Sequence, residues 1–229
     1  MPGTVVVTGA ASGIGAAISD TLAGNGWTVA GVDLNRASVR LPLVADVCDP
    51  TAVADAIHAA ERDLGPIEAL VVAAGHYAMA PFSEITAEAW HRMLRVHLGG
   101  LRNAAHAVLP GMLDRGRGSI VAIASELAIG GGDGDAHYAA AKGAVLGFVR
   151  SLAVEVAPAG VRVNSVAPGP TDTALLSADS PWRAPDFLAT VPNRRLARPD
   201  EIAMTVRFLL EEADFCVGEV MSLNCGTVI

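Results

Sequence analysis

Three residues carry side chains able to hold a substrate oxygen and move a proton to or from it: Ser125, Tyr138 and Lys142. Tyr138 and Lys142 are four apart in an alanine-rich run that reads as a helix, so they share one face. A phenol titrates near 10 in water, and a tyrosine working as acid–base at neutral pH needs positive charge beside it. The Lys142 ammonium, one turn on, is positioned to supply it. Bringing the phenol down to about 7–8 corresponds to roughly 3–4 kcal/mol of preference for the phenolate. Ser125 closes a predicted strand upstream of Tyr138, where its hydroxyl would steady the oxygen that Tyr138 protonates or deprotonates. Tyr-x-x-x-Lys by itself is common in helices. The serine, and a glycine loop far upstream, make coincidence a poor account.

That loop is Thr8-Gly9-Ala10-Ala11-Ser12-Gly13-Ile14-Gly15, between a predicted first strand and first helix. Glycines let backbone approach a pyrophosphate, and a helix N-terminus offers free N–H groups and positive potential. Asp33-Leu34 ends the second strand. An acidic side chain there accepts from both hydroxyls of an adenosine ribose and repels a 2′-phosphate, so the expected cofactor is NAD rather than NADP. Arg36, three residues on, is the one feature that blurs this preference. Asp46-Val47 after the third strand suits an adenine edge, and Ala73-Ala74-Gly75 after the fourth keeps the cleft floor open. Each of these also reads as ordinary loop chemistry.

The elements that must position these groups alternate along the chain. Strands are expected at Val5–Thr8, Trp27–Asp33, Leu41–Ala45, Ile67–Ala73, Ser119–Ser125, Val161–Val166 and near Glu219–Leu223. Helices are expected at Ser12–Ala23, from the Asp49 cap and Pro50 to about Leu64, over Thr86–Leu113 with an interruption near Gly99-Gly100, at His137–Val156 and from about Pro199 to Glu211. Repeated βαβ units imply one α/β domain over residues 1–229, a Rossmann-like doubly wound parallel sheet of about seven strands with helices on both faces. The 33-to-46 interval is too short for a crossover helix. Leu175–Arg198, with Pro181, Pro185 and Pro192, reads as a long irregular excursion that would bind substrate.

Composition agrees and excludes other classes. With 52% apolar and 17% charged residues the chain can fill a large core, and its scarce aromatics suit parallel strands better than a sandwich. A net charge of −8 argues against nucleic acid or an anionic membrane as partner. The glycine-broken start resembles neither a membrane span nor a signal peptide, so a cytoplasmic location is expected. Three cysteines without CxxC spacing read as buried thiols, with no disulfide framework and no metal site.

Together these residues resemble the short-chain dehydrogenase/reductase family over nearly the whole chain. The likeness rests on Thr8–Gly15, Asp46, Ala74-Gly75, Ser125 with Tyr138-Ala-Ala-Ala-Lys142, Arg162-Val-Asn164-Ser-Val-Ala-Pro168-Gly169 and Arg198-Pro-Asp-Glu201. It implies an NAD-dependent hydride transfer in which Lys142 also binds the nicotinamide ribose. Pro168, Gly169 and the Thr171 backbone would border the carboxamide, and Thr173 the pyrophosphate. It further implies a homodimer or homotetramer, for which Ala139, Ala140, Ala141 and Ala144 offer a small-residue surface equally suited to a core.

Departures from the family pattern are informative. Val72-Ala73 stands where the family has two asparagines, which should loosen the polar anchoring of the fourth strand's end. His97 stands where an asparagine helps hold a proton-relaying water chain to the lysine. The imidazole either substitutes in that relay or is simply packed in the long helix. Asn224-Cys225-Gly226 replaces Asp-Gly-Gly.

The substrate pocket is expected between residues after Gly75 (His76, Tyr77), the Glu126–Asp135 segment and the 175–198 excursion. Trp182, Phe187 and Leu188 would form an apolar lid or pack the excursion down. The short connection after Asp33 and Pro168-Gly-Pro-Thr-Asp-Thr173 look like dehydrogenases of cyclic dihydrodiols. A carboxylated substrate would need Arg183, Arg194 or Arg195. A small cyclic secondary alcohol, dihydrodiol or ketone is the expected substrate; a hydroxysteroid, a 3-ketoacyl thioester and a non-catalytic NAD(H) sensor are the alternatives.

Overall fold

A computed structural model describes residues 2–229. Seven strands form one parallel sheet: β1 (Thr4–Thr8), β2 (Thr28–Asp33), β3 (Leu41–Val44), β4 (Ile67–Val72), β5 (Gly118–Ile123), β6 (Val161–Pro168) and β7 (Val220–Leu223), in the order β3-β2-β1-β4-β5-β6-β7. The order reverses between β1 and β4, which leaves a crevice at their carboxyl ends. β1 has no exposed residue, as a strand covered on both faces must.

The period-2 pleat sends alternate residues of β1 into separate cores. Val6 packs with Leu70, Ile120 and Val163 under α2 (Pro50–Leu64), α4 (Gly100–Arg115) and α6 (Ala136–Val156), represented by Ile57, Leu101, Met112 and Val149. Val5 and Val7 face α1 (Gly13–Gly24) and α8 (Pro199–Glu211) through Ile18, Leu22, Ile202 and Leu209. Leu70 is fully buried in the first core. Leu70→Ala is expected to cost about 2–5 kcal/mol in denaturant unfolding; a loss below about 1 kcal/mol would contradict this packing.

Local chemistry fixes the helix starts. The Asp49 carboxylate accepts from the N–H groups of Thr51 (2.9 Å) and Ala52 (3.2 Å) before Pro50 opens α2. Glu201 accepts from the Arg198 N–H at 2.8 Å at the start of α8. The connection from Asp33 to Leu41 has no helix, as its length required.

Three expectations need correction. The long helix is not interrupted at Gly99-Gly100, whose dihedrals stay helical. Instead α3 (Ala87–Leu94) runs through a π turn, Arg95–Gly99, directly into α4. The wider turn carries His97 inward. Gly100 is needed for close approach, since a Cβ there would lie 3.0 Å from Val47 Cγ2. The 175–198 excursion contains a 3₁₀ turn, Pro181–Arg183, and α7 (Pro185–Thr190), because its prolines open helical turns rather than break them. Only Cys216 is buried; Cys48 and Cys225 lie on loops and are partly exposed. Of Ala139, Ala140, Ala141 and Ala144 on α6, only Ala141 is buried within this chain.

Candidate active site

A cleft of about 510 Å³ opens over the carboxyl ends of β1, β4, β5 and β6. Every residue nominated for catalysis or for the cofactor lines it: Gly9, Ser12–Gly15, Asp33-Leu34, Asp46-Val47, Ala73–Gly75, His97, Ser125, Tyr138, Lys142, Pro168-Gly169, Thr171 and Thr173.

Its phosphate end is built from backbone. Gly9 (φ +73°) and Gly13 (φ +54°) hold conformations that disfavour a side chain. A Cβ on Gly9 would sit 2.7 Å from Ala74 N, and one on Gly15 would collide with the Gly9 carbonyl. Ser12 is the N-cap of α1 yet makes no side-chain cap hydrogen bond, leaving first-turn N–H groups for an anion. Asp33 accepts from Ala11 N–H (3.1 Å) through Oδ2 and from Asn35 N–H (2.9 Å) through Oδ1. These bonds aim the carboxylate across the cleft edge with lone pairs to spare. This cradle fits a dinucleotide.

Beyond β3 Asp46 accepts from Cys48 N–H at 2.8 Å, and Asn103 donates to the Val47 carbonyl at 2.9 Å. With no asparagine side chains after β4, the anchoring there comes from the backbone. Ala73 N–H donates to the Thr8 carbonyl and Ala74 N–H to Thr8 Oγ1, both at 3.2 Å, so backbone amides anchor the loop.

The Ser125, Tyr138 and Lys142 side chains converge at the other end. Lys142 Nζ donates to the Ile123 carbonyl at 2.7 Å and lies 5.7 Å from the centre of the Tyr138 ring. Burial pushes the Lys142 ammonium down to about 7. The Tyr138 phenol is held above its ordinary value by burial first, then by the Glu126 and Asp135 carboxylates, with Ser125 opposing. The chain without its cofactor therefore does not by itself bring the phenol down. The lysine is itself desolvated and bonded to a carbonyl, so it does not offset the burial of the phenol.

His97 is 4% exposed. Its Nε2 lies 2.9 Å from the His76 carbonyl oxygen and 3.4 Å from the His76 N–H; the shorter contact is to an atom that can only accept, which favours the tautomer with the proton on Nε2 and a lone pair on Nδ1. That Nδ1 is buried and unpartnered. Burial and then the Lys142 charge hold the imidazole well below its ordinary pKa, which keeps it neutral. The ring also stands edge-on to Tyr138 at 5.4 Å and packs on Gly75. Both roles weighed for His97, relay and packing, are therefore compatible with its geometry.

Around the pocket, Trp182 Nε1 donates to Tyr77 Oη at 2.9 Å, and Tyr77 donates to Asp135 Oδ1 at 2.8 Å. Trp182 lines the cleft with Phe187 packed edge-on behind it, whereas Phe187 and Leu188 do not line it. Asp135 is fully buried, not part of a solvated acidic loop. Arg183 is bound to Asp172 at 2.7 Å and Arg195 to Glu201 at 2.7 Å, and neither they nor Arg194 line the cleft. The arginine that does is Arg92, on α3, which sequence reasoning did not nominate. Nor did it single out Glu126, a buried carboxyl beside Ser125. A charge at the end of an apolar strand run was the available signal. Among the described residues no cluster of His, Cys, Asp or Glu is arranged to hold a metal, and no helix is long and apolar enough to cross a membrane.

A phosphate loop at the β1/β4 crevice, with Ser125, Tyr138 and Lys142 beside it, defines an oxidoreductase that works with a nicotinamide cofactor. The comparisons specify the family. The sequence profile described as Enoyl-(Acyl carrier protein) reductase matches residues 9–228. Acetoacetyl-CoA reductase of Shinella zoogloeoides is 38% identical over 99% of this chain and 98% of its own length. Cis-4-hydroxycyclohexanecarboxylate dehydrogenase of Sinomonas cyclohexanicum is 36% identical over 96% and 94%. The ligand-free structure of Thermoplasma acidophilum aldohexose dehydrogenase superposes with a TM-score of 0.91 at 29% identity, covering 98% of this chain and 93% of that one. This chain belongs to the short-chain dehydrogenase/reductase family.

Proposed function

We propose that the protein transfers a hydride between NAD(H) and a small secondary alcohol or ketone, most suitably a cyclic one. The observation that carries this reading is the convergence of Ser125, Tyr138 and Lys142 on the cleft that holds the glycine loop and Asp33. The cofactor supplies the hydride chemistry and a cationic ring near the phenol. Ser125 holds the substrate oxygen, Tyr138 gives or takes its proton, and Lys142 binds the nicotinamide ribose and passes protons toward solvent. His97 Nδ1 offers a hydrogen-bond acceptor along that route. Gly9, Ser12–Gly15 and Thr173 hold the pyrophosphate, Asp33-Leu34 the adenosine ribose, and Asp46-Val47 the adenine. Ala73–Gly75, Pro168-Gly169 and Thr171 wall the nicotinamide. A homodimer or homotetramer in the cytoplasm completes the proposal, and Val154, 77% exposed on α6, is apolar surface available for self-association.

The choice of NAD rests on Asp33; Arg36 is exposed and does not line the cleft. Asp33→Ala is expected to raise the KM for NAD by roughly tenfold or more and to narrow the preference over NADP, by loss of hydrogen bonds to a charged acceptor. Initial rates with both cofactors check this. Reduction of a short 3-oxoacyl thioester is the second reading, favoured by the 38% identity to an acetoacetyl-CoA reductase. Absorbance at 340 nm, followed with cyclic alcohols plus NAD and with acetoacetyl-CoA plus NADH or NADPH, separates the two. Activity confined to the thioester with NADPH would overturn both substrate and cofactor assignments.

A further inference from the structure

Glu126 follows Ser125 directly, yet the reaction proposed above gives it no part. It is 4% exposed and lines the cleft. The Ser125 hydroxyl donates to its Oε2 at 3.1 Å. Among the described residues no lysine or arginine pairs with it. The one buried ammonium nearby, Lys142, is bonded to the Ile123 carbonyl instead. A carboxyl in such surroundings is costly to keep unless something else donates to it. Asp135, the second buried acid of the region, takes Tyr77 as donor through Oδ1 and has an unpartnered Oδ2, but it does not line the cleft. Glu126 thus remains an acceptor next to the group that takes the reacting oxygen.

We propose that Glu126 is a specificity-determining residue that accepts a hydrogen bond from a second hydroxyl on the carbon next to the reacting carbinol, so that the site selects vicinal diols over simple alcohols. The proposal rests on the reading of Ser125 as substrate anchor. One oxygen of the diol lies between Ser125 and Tyr138, and its neighbour reaches the carboxyl 3.1 Å from the serine. Burial holds the carboxyl near 7, and an acceptor oxygen is present in either protonation state.

The test compares kcat/KM for cis-cyclohexane-1,2-diol with that for cyclohexanol, using NAD, in the wild type, Glu126→Gln and Glu126→Leu. The wild type should favour the diol by about ten- to a hundredfold, the effect of one hydrogen bond to a charged or partly charged acceptor. Glu126→Leu should bring the ratio to about one, and Glu126→Gln, which retains a carbonyl acceptor, should keep part of the preference. A wild-type ratio near one, or an undiminished ratio in the leucine variant, overturns the proposal. If Glu126 merely orients Ser125, both substrates fall together and the ratio holds, which overturns it equally. Should the leucine variant fail to fold, an unchanged ratio in the glutamine variant decides against it. If neither alcohol is turned over, the reading of a small cyclic alcohol as substrate fails separately. Thermal stabilisation of the NADH-loaded wild type by the diol and by cyclohexanol then decides: a greater shift with the diol supports Glu126 as its acceptor, and equal shifts overturn it.

Discussion

Tyr138→Phe should lower kcat by roughly 10²–10⁴-fold, the range for loss of a positioned acid–base group, while NADH still binds. The exchange removes one hydroxyl and keeps the ring. That ring stands edge-on to Tyr77 at 5.0 Å and to His97 at 5.4 Å, contacts that phenylalanine reproduces. The protein alone holds the phenol above its ordinary value, through burial and the Glu126 and Asp135 carboxylates. Proton transfer at neutral pH therefore depends on the cationic ring of the oxidised cofactor and on Lys142. Steady-state rates at 340 nm with calorimetric titration of NADH check the expectation. Full turnover in the variant would move the acid–base role to another group.

Lys142→Met should do two opposite things. Turnover should fall by a similar factor of about 10²–10⁴, because the variant loses the proton route and the ribose contact. The folded state should become more stable below neutral pH. Burial sets the folded pKa of Lys142 near 7, against 10.5 for the lysine reference. The unfolded chain therefore binds more protons between these values, and this group's contribution to stability rises with pH across that window. The penalty is complete below about pH 7, at most about 5 kcal/mol, and disappears above about 10.5. Stranding the Ile123 carbonyl returns about 1–3 kcal/mol of it. A net gain of about 2 kcal/mol at pH 6, shrinking toward pH 10, is the expected result of chemical unfolding of the cofactor-free protein. A variant less stable than wild type at pH 6 would show that Lys142 is not strained by its burial.

Most of the framework could be read from residue order because it obeys local rules. Apolar strand runs such as Val5–Thr8, the Asp49-Pro50 helix start and the glycine spacing after β1 each have one low-energy solution. The cleft-lining residues were legible for the same reason: strand ends and the first helical turn are fixed by topology. What was not legible depends on distant partners. Asp135 closes the glycine-rich run that starts at Gly130, yet it is buried, and Tyr77, 58 positions away, donates to it. The carboxyls that raise the Tyr138 phenol, Glu126 and Asp135, were not legible, because a helical interval reveals the neighbouring lysine but not the acids around it. Arg183 and Arg195 were plausible anion binders until their carboxylate partners appeared. The π turn has no local signature, since Gly99 and Gly100 read as a break and act as helix.

The contact between Gly75 and His97 limits the order in which this site can change. A Cβ on residue 75 would lie 2.5 Å from His97 Cε1 and 3.0 Å from Nδ1. While the imidazole occupies position 97, position 75 can hold nothing larger than hydrogen, whatever the loop would otherwise tolerate. A lineage or a designer that wants a side chain at 75 must first shrink 97. The reverse sequence passes through a clash in the middle of the reaction centre. The two positions are one heritable choice, and the histidine carries the key to it.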